Sequence, residues 1–168
     1  MKRWALAAVS AVAVTLFCGV AQRPETIMPE CEVRSYPAGL LEWIEPAEYM
    51  AKTMWGEARG LDRTQQAAVA WCILNRVDAG YGNIIEVVTA PEQFRGYYPA
   101  NPAEPETVDL ALDVIGRWLA EQNGVANVGR VLPEEYIFFS ARGGINYFRC
   151  EYYGAEWTWE AESPYKEG

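Results

Sequence analysis

The sequence predicts a mainly helical α+β domain that closes on a small C-terminal β element, and three observations lead there. Apolar residues recur at three- and four-residue spacing in three stretches, 46–58, 62–78 and 105–122. The last third changes period, becoming the short-period aromatic run "YIFFSARGGINYFRCEYYGAEWTW", broken by Gly143 and Gly144. A chain of 168 residues with 51% hydrophobic and 13% aromatic content also suits one core.

Ahead of that domain, Lys2 and Arg3 precede an apolar run over 4–17 and the small residues Gly19, Val20 and Ala21. This is the layout of a secretory signal peptide, so residues 1–21 are expected to be removed after Ala21 and the protein exported. Lipidation at Cys18 is disfavoured because the bulky Phe17 precedes it. An uncleaved anchor is disfavoured because the run falls short of the ~20 residues a span needs, so the mature form is expected to have no integral span. Residues 22–39 are polar and Pro-containing and read as a linker, leaving 40–168 as the folded domain.

The first helix is expected to start at Pro46, a residue suited to an opening turn, and to stop before Gly60. Met50, Met54 and Ala58 share one of its faces. Glu57 falls in the last turn, where the helix dipole disfavours a carboxylate by roughly 0.3–1 kcal/mol. A helical Glu is ordinarily a solvated charge, but one set there, beside Gly56 and Trp55, is placed for something other than helix stability. The second helix opens on Asp62 with Gln65 as a capping box and runs through Ala68, Val69, Cys72, Ile73 and Val77, with Cys72 expected as a buried free thiol. Residues 83–89 fit a strand or a short helix. Residues 91–99 form an aromatic loop, in which Gln93, Phe94 and Tyr97 suit a sugar groove, although Phe94 equally suits a core and Gln93 solvent. The third helix, 105–122, puts Val108, Leu112, Ile115 and Leu119 on one face with Gly124 beyond its end.

Counts then exclude several chemistries. The formal net charge is −9, and loss of Lys2 and Arg3 leaves 12 basic against 23 acidic residues, or −11. With no basic stripe, nucleic acid is not an expected partner. There is no His, which removes the usual base of Ser-His-Asp and Cys-His hydrolases and the ligands of a His-bound zinc. Carboxylates remain as acid and base groups, and neither a metal nor a cofactor is expected. Cys31 and Cys150 flank the domain and are candidates for a disulfide in an oxidising compartment.

The stretch "MAKTMWGEARGLDRTQQAAVAWCILNRV", 50–77, resembles the opening of the SleB-type cell-wall hydrolase family, which includes the spore cortex-lytic enzymes. Three pieces match in order: Trp55-Gly56-Glu57-Ala58-Arg59-Gly60, the Gln-x-Ala-Val-Ala helix, and Leu-Asn-Arg-Val at its end. The Gln93-Phe94 segment is similar too, except that Arg95 stands where the family often has Ser or Thr. Asn146-Tyr147-Phe148 is similar to the closing element in its version without His. The resemblance favours a short helix over 83–89. It implies a lysozyme-like fold and cleavage of the N-acetylmuramic acid–N-acetylglucosamine bond by a lytic transglycosylase, a monomer acting on peptidoglycan strands. Glu57 would be the single catalytic acid and base, donating to the glycosidic oxygen and then deprotonating the substrate's own 6-hydroxyl. Trp55, Gln93, Phe94, Tyr97, Asn146 and Phe148 would bind substrate. The competing reading is a non-catalytic exported glycan-binding module, which the Tyr- and Trp-rich C-terminal third also suits. The two part on whether Glu57 shares a groove with Gln93 and Asn146.

Overall fold

The computed structural model describes residues 38–157 and 163–165, which belong to the unit Ser35–Gly168. The expected signal peptide, most of the linker, Cys18 and Cys31 lie outside the described residues.

The architecture is mainly helical α+β. A 3-10 helix, Ala38–Trp43, runs directly into α1, Ile44–Ala58. Pro46 is thus the third residue of α1 and not the first, which costs nothing because the opening N–H groups of a helix have no intrahelical acceptor. The helix ends as Arg59 turns extended at φ −61° and ψ 134°, and Gly60, at φ 81°, takes the left-handed position of the turn that follows, closed by Leu61 N donating to Ala58 O at 3.1 Å. α2, Arg63–Asp78, starts on the Asp62 side chain, which accepts from Gln65 N at 2.8 Å. Only this half of the expected capping box is described, because Gln65 Oε1 instead accepts from Asn146 N at 3.2 Å. α3, Ile84–Thr89, is the short helix, closed by a reciprocal box between Asn83 and Glu86. α4, Pro105–Gln122, has the expected bounds.

The β element pairs β1, Phe138–Arg142, with β2, Ile145–Arg149, antiparallel, and β2 with a two-residue β3, Glu156–Trp157. Gly143 and Gly144 form the whole connection at φ 59° and 78°, the signs a tight two-residue hairpin turn requires. Their position fixes the register, setting Phe139 opposite Phe148 and Phe138 opposite Arg149.

The core forms where α1 packs on α2, α3 and α4. α2 is its axis: every residue from 67 to 74 is fully buried, so this helix is apolar on all sides and not on one stripe. Phe148 inserts from β2 into the same cluster and lies beside Phe139, whose ring also packs on Phe94. Among the described residues no helix is long and apolar enough to cross a membrane.

Candidate functional site

The last turn of α1 and the 91–99 loop meet at two glycines. A Cβ on Gly56 would lie 1.8 Å from Gly96 O, and one on Gly96 would lie 2.6 Å from Gly56 C and 2.9 Å from Glu57 Cδ. Only glycines permit that approach. It brings Gly96 N–H to 2.6 Å from Glu57 Oε1, where it donates to the carboxylate. Asn101 fastens the same junction, its Nδ2 donating to Lys52 O at 3.0 Å and to Gly96 O at 2.7 Å. Glu57 is thereby held at the helix end with one oxygen engaged.

Glu57 lines a cleft of about 760 Å³ between this junction and the β hairpin. The end of α2 contributes Arg76, the loop contributes Glu92, Gln93 and Arg95, and the hairpin and the residues after it contribute Phe138, Arg149, Tyr152 and Tyr153. Arg76 is 5% exposed; its Nε donates to Ile137 O at 2.7 Å and its Nη1 to Gln93 Oε1 at 3.0 Å, and its guanidinium lies 4.4 Å from the Phe94 ring centre. Glu92 has a φ of 63°, unusual for a residue with a side chain, and its exposed carboxylate pairs with Arg95 at 3.0 Å. Tyr152 meets Phe138 edge to face at 5.9 Å and Tyr153 at 4.7 Å, so three rings form an aromatic wall. Tyr153 is 93% exposed, leaving its ring open to a ligand.

The residues expected to bind substrate separate in space. Gln93 shares the cleft with Glu57. Phe94 is 5% exposed, Phe148 0% and Asn146 3%, so the first two are core side chains with no face open to a sugar. The reason for Asn146 and Phe148 is strand alternation, which turns both to the packed side of β2. Asn146 sits behind the catalytic candidate instead of beside it: its Nδ2 donates to Glu57 O at 3.3 Å, while its Oδ1 is buried without a hydrogen-bond partner. Tyr97 stacks on Tyr49 at 6.0 Å and lines a separate depression of about 610 Å³ beside Tyr98. Trp55 is partly buried with the Arg59 guanidinium 4.4 Å from its ring centre, and it is not among the cleft residues.

Sequence reasoning passed over Arg76, Arg149 and the Phe138–Tyr152–Tyr153 wall. Arg76 did leave a signal, since Asn75 and Arg76 end an otherwise unbroken apolar stretch and a polar pair there needs partners. Cys72 lies behind the site as a buried free thiol. Burial pushes it up from 9.0 to about 11 although the Arg76 guanidinium pulls the other way. Cys150 is an exposed free thiol, and its expected partner Cys31 is not among the described residues. Among the described residues, no group of His, Cys, Asp or Glu side chains is arranged to hold a metal ion. No family model, curated protein or solved structure matches this chain.

Proposed function

We propose that the chain is a peptidoglycan-cleaving enzyme of the SleB type with a lysozyme-like fold, exported by its N-terminal segment to act on the wall. It cuts the N-acetylmuramic acid–N-acetylglucosamine bond as a lytic transglycosylase. One observation carries this reading: a carboxylate at a helix end, Glu57, is fixed by a backbone N–H in a cleft of about 760 Å³ with an aromatic wall. That volume is in the range of sites that enclose a small ligand, and open rings such as Tyr153 suit sugar faces.

The chemistry needs one carboxyl group in two states. Gly96 N–H engages Glu57 Oε1, which leaves Oε2 to exchange the proton. Protonated Glu57 donates to the glycosidic oxygen as the bond from that oxygen to the muramic C1 breaks. The 6-hydroxyl oxygen of the same sugar bonds to C1, and its proton returns to the Glu57 carboxylate, so the enzyme ends as it began. Glu92 is the other carboxylate in the cleft, and it is committed to Arg95.

The test is product analysis by mass spectrometry after incubating peptidoglycan with the protein, with Glu57→Gln and with Glu92→Gln. The amide of Glu57→Gln keeps an acceptor for Gly96 N–H, so the variant isolates proton transfer from folding. Anhydromuramic ends from the parent and from Glu92→Gln, absent with Glu57→Gln, are expected. Reducing ends lost in both variants would replace this reading with two-carboxylate hydrolysis. Tight binding without products from the parent would replace it with a glycan-binding module.

A further inference from the structure

Three guanidinium groups line the cleft with Glu57, and two of them are already engaged. Arg95 pairs with Glu92, and Arg76 is held by Ile137 O and Gln93 Oε1. Arg149 is different: its Nε is buried without a hydrogen-bond partner, and no ion pair engages the guanidinium among the described residues. The nearest carboxylate by strand register is Glu156, its cross-strand neighbour on β3, but Glu156 is bound by Arg142. The hairpin therefore presents an uncommitted, partly desolvated cation inside a cleft of an otherwise acidic protein. The buried Nε holds the side chain's root in place, the guanidinium lines the cleft with no carboxylate of the described residues to answer it, and its planar fork matches a carboxylate from outside the chain.

We infer that Arg149 is a specificity residue that binds a carboxylate carried on the glycan. This deepens the glycan reading and rests on it. The carboxylate has two sources in such a polymer, the lactyl ether of the muramic sugar or the peptide attached to it. Both present the same anion to the cleft. The negative net charge, −9 for the full sequence and −11 once residues 1–21 are removed, makes the requirement sharper, because an anionic branch is repelled by the protein at large and is accepted only where a cation lacks a partner.

The experiment measures binding in full-length Glu57→Gln protein, by calorimetry, to three muramyl oligosaccharides: free lactyl carboxylate, lactyl carboxamide, and peptide-bearing. The free carboxylate is expected to bind about tenfold more tightly than the carboxamide. Adding Arg149→Gln should abolish that difference, while adding Arg149→Lys should retain part of it. Equal thermal unfolding of the two double variants shows that the loss is not one of folding. If only the peptide-bearing oligosaccharide gains over the carboxamide, and Arg149→Gln removes the gain, the carboxylate read is that of the peptide. Equal binding of all three, a preference that survives Arg149→Gln, or no binding at all overturns the inference. Because the readout is affinity in an acid-disabled protein, a parent enzyme that releases no products would sink the proposed reaction without touching this result.

Discussion

At Gly56 and Gly96 a missing methyl group decides where a carboxylate sits. Placing a Cβ 1.8 Å from Gly96 O, or 2.6 Å from Gly56 C, forces backbone to move on both sides of the junction. Gly96→Ala is expected to cost about 1–3 kcal/mol in urea unfolding and to remove most activity, because the loop carries the N–H that holds Glu57. A variant of unchanged stability and rate would mean that the junction does not place the carboxylate. Neither glycine could be read this way in the sequence, where α2, α3 and their connecting loops separate Gly56 from Gly96. Phe94 illustrates the same limit, since aromaticity alone suits a groove or a core and only the packing against Phe139 decides. Cys72 was legible, because its neighbours repeat at helical spacing. Its raised value means that the folded protein binds the thiol proton more tightly than the unfolded chain does. The resulting stability is present below pH 9.0 and is lost as pH rises towards about 11. Unfolding followed from pH 8 to 11 should show that decline shrinking in Cys72→Ala; an identical decline would assign it to other groups.

The elements were easier to read than the connections. Helix periodicity and the stops at Gly60 and Gly124 placed α1, α2 and α4 closely, and Gly143-Gly144 placed the hairpin, because these signals act within a few residues. What holds the hairpin to the helices is not local. At the end of α2, Asn75 is 2% exposed; its Nδ2 donates to Pro133 O at 2.7 Å and Tyr136 O at 2.9 Å, and its Oδ1 accepts from Arg130 Nη1 at 2.6 Å. Those partners belong to the 130–137 connection, whose sequence has no period to announce them. Asn75→Ala leaves two carbonyls and a guanidinium donor without their partner, and is expected to cost about 2–4 kcal/mol in denaturant unfolding. Since the same connection feeds β1 and the aromatic wall, glycan affinity should fall with it. A loss under about 0.5 kcal/mol would show that water replaces the amide and that the helix end is not the hairpin's anchor.

For the molecule as a whole, charge and site oppose each other. On the proposed reading, a net charge of −9 for the full sequence, or −11 once residues 1–21 are removed, faces a polymer whose branches are anionic, so long-range forces hinder encounter, whereas contact inside the cleft would bring a carboxylate to Arg149. The two effects have different ranges. Encounter is governed by charges separated by more than the Debye length, about 10 Å at 0.1 M salt, and added salt removes that repulsion. The Arg149 contact is short-range and partly desolvated, so it weakens less. Cleavage of polymeric peptidoglycan should therefore speed up as ionic strength rises from about 0.01 to 0.15 M, the range over which screening of distant charges is completed. Affinity for a short carboxylate-bearing oligosaccharide should instead fall modestly, because one attractive contact dominates a small ligand. Rates and affinities measured across one salt series separate the two. If both fall together, attraction in the cleft governs encounter as well, and the acidic surface is not an obstacle to reaching the wall.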